Sequence, residues 1–464
     1  MSDPGPASRL VCAGCGAEPA PFDPYPFRCP GAASGDDVDH VLRRILDLGA
    51  LRFPDEVPEP SPFLAYRTLL HPYHLARAGG LADDGFCALV RRLDAEVAAL
   101  DGHGFTATPL SRNAPLSDAL GLSRAGGVWV KDETGNVSGS HKARHLFGVL
   151  LQLEVAERLG LADASARREL AIASCGNAAL AAAVVAAAGG RVLRVFVPPD
   201  ADPLVLARLE ELDARITTCP RDGRPGDPTV RALLRALDDG ALPFTCQGNL
   251  NGLAIEGGET LGWELVSSGV AFDRLVVQVG GGALASACIQ GFAEAVALGA
   301  LAASPRVDTV QTEGAWPLRR AFDAVVERGA RAEALRFAAR HRSAFMRPWE
   351  ATPASVAHGI LDDETYDWLA VVEGMLATGG RPLVVGEETL LRANALAREA
   401  SGIAVDHTGT AGLAGLLALR EAGELDDDER IVVLFTGVAR TAPEGRSNRD
   451  EELPRTRHPL AQGL

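Results

Sequence analysis

The run Gly127-Val128-Trp129-Val130-Lys131-Asp132-Glu133, followed by Ser138-Gly139-Ser140-His141-Lys142, decides how this chain folds. A short β-rich apolar run ends in charge, and a glycine- and serine-rich turn then presents a lysine. Behind it, residues 143–159 carry apolar side chains at helical spacing: Leu146, Leu150 and Leu153, with Phe147, Leu151 and Val155 on a neighbouring stripe. Lys142 therefore stands where a strand hands over to a helix, the place where open α/β sheets hold their ligands. A lysine there can be partly desolvated and its amine freed to attack a carbonyl. A single lysine is more often a solvated residue of a first helical turn, so its company downstream decides.

That company is three more strand-to-helix turns. Ser174-Cys175-Gly176-Asn177 follows the apolar run 170–173 and opens a helix over 178–188. Its small residues allow close backbone approach, its helix amides favour a carboxylate, and Asn177 adds an amide donor. Gly280-Gly281-Gly282 lies between 275–279 and a helix starting near Ala283, an amide nest suited to a phosphate. Neither the dinucleotide G-x-G-x-x-G nor the Walker pattern is present, since Ala285 takes the third glycine's place. Thr436-Gly437 closes the strand 431–435 with one hydroxyl. An amine, a carboxylate-binding turn, a phosphate cradle and a polar group at four strand ends are the set that pyridoxal phosphate needs.

Composition narrows the class. The 464 residues suffice for two domains, and 47% are hydrophobic. Lys and Arg number 45 against 61 Asp and Glu, a formal net charge of −16 that argues against nucleic acid or an anionic membrane as partner. The first dozen residues lack the pattern of a secretory signal, and the longest apolar run, 178–188, is too short to span a bilayer. Eight scattered cysteines in a chain of this size suit the reducing cytoplasm.

The first sixty residues are rich in proline and predict an extension with few regular elements. Cys12-x2-Cys15 and Cys29 form part of a zinc ribbon, but the residues after Cys29 supply no second cysteine. His40 or an aspartate could be a fourth ligand, yet structural zinc prefers a complete set, so no metal is expected. From about Leu89 onward, strand-like runs at 128–130, 170–173, 193–197, 275–279, 307–311 and 431–435 alternate with helical patterns, which predicts a parallel α/β body. Residues 319–342 read as one charged helical stretch.

With these motifs on the page, the chain resembles the tryptophan-synthase-like, fold type II pyridoxal-phosphate enzymes, in particular threonine synthases and threonine/serine ammonia-lyases. Lys131-Asp132-Glu133 through Gly139-Ser140-His141-Lys142 is similar to the family's lysine motif and Ser174-Cys175-Gly176-Asn177 to its Ser-x-Gly-Asn loop. Gly257-Gly258-Glu259-Thr260 through Glu264 resembles a segment common in threonine synthases. Gly280-Gly281-Gly282-Ala283-Leu284 resembles the ammonia-lyase glycine loop with one glycine replaced, and Thr436-Gly437 the end strand facing the pyridine ring. The order and spacing agree from about Thr106 to Ala439. Where these enzymes usually have phenylalanine stands His141, as in the tryptophan synthase β chain, whose histidine approaches the cofactor phosphate.

The resemblance implies two open, twisted, mostly parallel sheets with flanking helices, behind an irregular N-terminal extension. It divides the chain into an extension (1–60), a discontinuous cofactor-binding domain (61–145 and 246–445), a small substrate-loop domain (146–245) and a flexible tail (446–464). It implies pyridoxal 5'-phosphate on Lys142 as a Schiff base, with Asn177 at the ring's 3-oxygen. Gly280, Gly281, Gly282 and Ala283, with His141, would lie at the phosphate, and Thr436 at the pyridine nitrogen. Ser174, Cys175, Gly176 and Asn177 would meet the substrate carboxylate. The implied activity is β-elimination from a small hydroxy or β-substituted amino acid in a cytoplasmic homodimer. The alternatives are threonine synthase or β-replacement, and, in another class, an inactive ligand-binding relative. Phosphohomoserine would bring a second phosphate, and Arg144 is the one cation the sequence places near Lys142.

Overall fold

A computed structural model of the chain describes residues 7–33, 35–54, 59–224 and 226–440, and the expected tail lies outside them. The described strands are β1 (Ser8–Cys12), β2 (Leu42–Leu46), β3 (Leu110–Asn113), β4 (Gly127–Asp132), β5 (Leu170–Ala173) and β6 (Leu193–Val197), then β7 (Arg215–Thr218), β8 (Leu242–Pro243), β9 (Arg274–Gln278), β10 (Arg306–Thr312), β11 (Pro382–Val385) and β12 (Arg430–Phe435). They form three sheets. A six-stranded sheet has the order β11-β10-β9-β12-β4-β3, a four-stranded one β7-β6-β5-β8, and β1 pairs with β2 alone.

Every neighbouring pair in the two larger sheets is parallel except β3 with β4. The central strands β9 and β12 are apolar runs, Leu275-Val276-Val277 and Ile431-Val432-Val433-Leu434-Phe435, buried throughout. Strands covered by helices on both faces need such unbroken apolar sequence, whereas alternation would expose one face.

One helix joins the two sheets. Lys142–Arg158 is buried at every residue from Ala143 to Ala156. It packs against Asn177–Ala188 on the side of the small sheet and Ala254–Ser267 on the side of the large one. The second contact is backbone against backbone. A Cβ at Gly148 would meet Gly257 Cα at 3.0 Å, and side chains at Gly257 or Gly258 would strike the Arg144 carbonyl or the His145 ring. The Gly-Gly pair in the threonine-synthase-like segment thus serves helix packing. The expected domain boundary at 145/146 falls inside this helix.

The stretch 319–342 is helical without a strand, carried by Pro317–Glu327 and Arg331–Arg340, which Gly329 separates at φ +93°. The extension has few regular elements among its described residues: β1 and β2 pair antiparallel from Ser8–Leu46 to Cys12–Leu42.

Candidate active site

The lysine turn and the Ser174–Asn177 turn meet the end of β12 at Gly437. Ser140 forms an antiparallel bridge with it. A Cβ there would lie 2.7 Å from Asn177 Nδ2 and 3.0 Å from Asp406 Oδ2, so only glycine lets these groups close in. Its neighbour Thr436 is tied to the lysine turn, because the His141 amide and His141 Nδ1 each stand 3.3 Å from the Thr436 carbonyl oxygen. A carbonyl only accepts, so Nδ1 carries the proton. Burial, reinforced by Lys142, holds the His141 pKa well below the usual histidine range. The residue is neutral and braces the end of β12.

Gln278, at the end of β9, brings the glycine loop to the same place. Its Nε2 donates to Thr436 Oγ1 at 2.6 Å and to the carbonyls of Gly409 and Leu434 at 3.2 Å. Because the Thr436 oxygen already accepts this bond, its own O–H is left to donate elsewhere. Lys142, half-buried, opens the long helix. Its charge is felt by Asp362, Asp367, Cys246, His141 and His145, which gather around the same space.

The glycine loop is covered by residues that no motif had marked. Thr365 Oγ1 donates to the Gly280 carbonyl at 2.9 Å and the Asp367 amide to the Gly281 carbonyl at 3.1 Å. Gly282 sits at φ +95°, with Thr365 Cγ2 2.8 Å from where a Cβ would be. The Asp362 carboxylate lies against Gly280 and receives the Gly281 amide. Burial raises its pKa to about 6, against the opposing pull of Lys142 and that amide. The pKa of Asp367 rises to about 7, again through burial.

Ser174, Cys175 and Gly176 form the exposed-to-half-buried loop at the end of β5, where the Ser174 hydroxyl accepts from the Gly176 amide at 3.4 Å. Asn177 begins the following helix, and its Oδ1 accepts from Arg440 Nη1. Arg440 Nη2 also reaches the Ser138 carbonyl at 3.0 Å. The expectation that Arg144 is the cation near Lys142 is corrected here. Arg144 is fully buried and committed to Glu133 and Glu264, at 2.8 and 2.6 Å. Lys131, Thr108 and Thr260 complete that network. Lys131, Glu133, Glu259 and Glu264 are scaffold, as is Arg144, and Arg440 is the cation beside the substrate loop.

Among the residues the sequence reading missed, Gln278 had left a signal, a polar residue closing an otherwise apolar buried strand. Asp362 had left none, since Asp362-Asp363-Glu364 has the composition of a solvated loop.

The reading that left Cys29 without a partner set is also corrected. The chain after Cys29 folds back, so that Cys12 Sγ stands 3.5 Å from His40 Nδ1 and Cys15 Sγ 3.5 Å from Cys29 Sγ. All four ligand atoms lie within 4.8 Å of one another. The sequence offered His40 only as one candidate beside the aspartates, because its place is set by the β1–β2 pairing and by the Arg342 amide, which donates to the Asp37 carbonyl at 2.8 Å.

A lysine-led helix, an amide nest and a directed hydroxyl at the ends of parallel strands define an α/β enzyme built around an anionic, aldehyde-bearing cofactor. Residues 103–437 match the family described as "Pyridoxal-phosphate dependent enzyme", and the chain belongs to that family. Its cofactor is pyridoxal phosphate, and its activity is of the amino-acid lyase or synthase kind. The chain is 26% identical over 350 residues to a threonine synthase of Methanocaldococcus jannaschii, covering 74% of this chain and 77% of that one. It is 28% identical over 336 residues to one of Mycobacterium bovis, covering 71% and 82%. The fold is shared with the processed threonine deaminase isoform 2 of Solanum lycopersicum (TM-score 0.56, 17% identity, 77% of this chain and 91% of that one). It is shared too with an L-serine ammonia-lyase of Rhizomucor miehei (TM-score 0.55, 20% identity, 72% and 94%). Among the described residues no helix is long and apolar enough to cross a membrane.

The residues present fit the cofactor. Gly282, at φ +95°, lets the loop turn into the helix that Ala283 opens, and the Thr436 hydroxyl has a proton to give.

Proposed function

We propose that the chain is a lyase removing the β-substituent of a small hydroxy or otherwise β-substituted amino acid, with pyridoxal phosphate carried on Lys142. The observation that carries this reading is the meeting of the lysine turn and Asn177 at Gly437, with Gln278 tying the strand before the glycine nest to Thr436. Bound there, the cofactor supplies an aldehyde for amines and a ring that draws electrons from the substrate's α-carbon. Lys142 would hold the cofactor and, once freed, would serve as general base for the substrate's α-proton. Asn177 is placed for the ring oxygen, and Ser174 to Asn177 for the substrate carboxylate. Thr436, whose O–H is left to donate, would hold the pyridine nitrogen by a neutral hydrogen bond. A hydroxyl would not protonate that nitrogen as a carboxylic acid would, so a ring held there would be the weaker electron sink that suits loss of a β-group. His141 positions Thr436 through its carbonyl, and Ala283 opens the helix behind the nest.

The Asp362 carboxyl lies against Gly280 and is charged above about pH 6, which disfavours a substrate bringing a second phosphate. The second reading, threonine synthase, is supported by the curated relatives and by Arg440 beside Asn177, a cation placed where a substrate anion would arrive. Within this proposal, residues 61–145 and 246–445 form the cofactor domain and 146–245 the small domain, joined by the shared helix. The protein works as a cytoplasmic homodimer, a location consistent with eight free thiols.

The discriminating experiment incubates the holoenzyme with L-serine, L-threonine and phosphohomoserine and measures keto acid, ammonia and threonine. Keto acid and ammonia from a hydroxy amino acid support the lyase. Efficient threonine formation from phosphohomoserine reverses the order of the two readings, and product formed only with an added nucleophile points to β-replacement.

A further inference from the structure

We propose that Cys12, Cys15, Cys29 and His40 hold one zinc ion, and that this ion fixes the segment bracing the wall of the cofactor site. Zinc binds thiolate at about 2.3 Å and imidazole at about 2.0 Å, so tetrahedral donors stand roughly 3.5–3.8 Å apart. Both close pairs, Cys12 Sγ with His40 Nδ1 and Cys15 Sγ with Cys29 Sγ, are at 3.5 Å. Bonded sulfurs would be near 2.05 Å, so the cysteine pair has ligand spacing and is not a disulfide. Three sulfurs and one imidazole in this arrangement select zinc over harder, oxygen-loving cations. Each thiol that ligates releases its proton to solvent, and no redox change is involved.

The surroundings prepare the donors. His40 Nε2 pairs with Asp36 Oδ2 at 2.9 Å, and the carboxylate itself is held by the Ala33 and Val38 amides. With the proton on Nε2, the lone pair of Nδ1 points to the cluster, the arrangement a carboxylate–histidine–zinc triad requires. The Gly31 amide donates to Cys29 Sγ at 3.3 Å, and a Cβ at Gly31 would stand 3.2 Å from Cys15 Sγ, so glycine keeps the thiols free to approach. The ribbon also needs a staple. Its own apolar cluster is Cys12, Cys29 and Leu42 with Ala17 against them, far too small a core to order these loops.

The site reaches the active centre through the residue before His40. The Asp39 carboxylate accepts from Trp368 Nε1 at 3.1 Å, and its amide donates to the Ala339 carbonyl at 2.8 Å. Trp368 follows Asp367, whose amide holds the Gly281 carbonyl. Fixing His40 therefore fixes the strut behind the glycine loop.

The test is elemental analysis of the purified full-length holoenzyme, with thiol alkylation and thermal unfolding measured before and after chelation. One zinc per chain is expected, with Cys12, Cys15 and Cys29 protected from alkylation until the chelator removes it. The unfolding midpoint should fall on removal and recover when zinc chloride is added. Cys15→Ser, at the exposed corner, and His40→Ala should lose the metal, while His40→Cys, which restores a four-donor set, should keep it. Folded protein that takes up no zinc under reducing conditions overturns the proposal. So does a Cys15–Cys29 disulfide in freshly purified protein, or iron in place of zinc. None of these readouts depends on turnover, so the site stands or falls separately from the lyase reading.

Discussion

Lys142 is useful because of what it does not contact: among the described residues its amine makes no ion pair, while the half-buried Asp362 and the buried Asp367 carboxyls feel its charge. Lys142→Ala should abolish turnover yet leave the phosphate nest able to bind the cofactor without a covalent bond. Borohydride treatment of the native enzyme should fix the cofactor to the peptide containing Lys142, and a label on any other lysine would refute the assignment. Gln278→Leu tests the directed hydroxyl. Losing a net hydrogen bond of about 1–1.5 kcal/mol should lower kcat roughly tenfold with the cofactor still bound. Asp362 brings a pH dependence with a definite sign. Its pKa is raised to about 6, so it is mostly neutral below that pH and a carboxylate on the phosphate's own nest above it. Cofactor affinity of the apoenzyme should therefore weaken between pH 5 and 8. Asp362→Asn should weaken less over the same range, which cancels the titration of the phosphate itself. Parallel affinity curves for the two proteins would show that Asp362 does not compete for the nest.

At the scale of elements, the helix Lys142–Arg158 shows what a sequence can and cannot reveal. Its existence, its start and its apolar stripes follow from the spacing of Leu146, Leu150 and Leu153, and the strands at 170–173 and 193–197 are read to the residue. Periodicity is a local property, and local signals suffice for these. That the helix is buried on every side was not legible, because Arg144, Gln152 and Glu154 look like a polar face. Arg144 and Glu154 are buried because partners distant in sequence, Glu264 and Arg191, neutralise them, while the Gln152 amide is buried with no hydrogen-bond partner among the described residues. The short strands β3, β7 and β8 escaped for a related reason: Leu110-Ser111-Arg112-Asn113 has no strand pattern and is held by its neighbour β4. The motif residues of the site were legible because ligand chemistry restricts them, whereas Asp362 and Arg440 are brought there by the chain's path. Arg144→Met tests the buried network. Removing one partner strands the Glu133 and Glu264 charges, and should cost about 3–5 kcal/mol in denaturant unfolding. A loss below about 1 kcal/mol would mean that water or a rearranged Lys131 serves those carboxylates.

Over the whole molecule, the N-terminal extension is part of the core, a role its proline-rich composition conceals. Arg44 of β2 is buried among Glu256, Glu259 and Glu294 of two helices of the main body, at 3.3 Å from Glu256 and 2.8 Å from Glu294. Burial pushes the Glu256 carboxyl up to about 7 and Glu259 well above its ordinary value, and Arg44 is the chief force opposing this. A chain lacking residues 1–60 should consequently be insoluble or far less stable, and Arg44→Met separates the charge effect from the loss of contacts. In the native protein the folded state holds a proton on Glu256 that the unfolded chain gives up near pH 4.5. Its contribution therefore favours folding at low pH and declines as pH rises from about 4.5 to 7. Without Arg44 the carboxyls bind protons more tightly still, and the decline must be steeper and extend to higher pH. Urea unfolding of both proteins at pH 5 and pH 8 should show a small deficit for Arg44→Met in acid and about 3–5 kcal/mol in alkali. A deficit equal at the two pH values would mean that Arg44 acts through packing, and that the extension is held to the body by its apolar contacts alone.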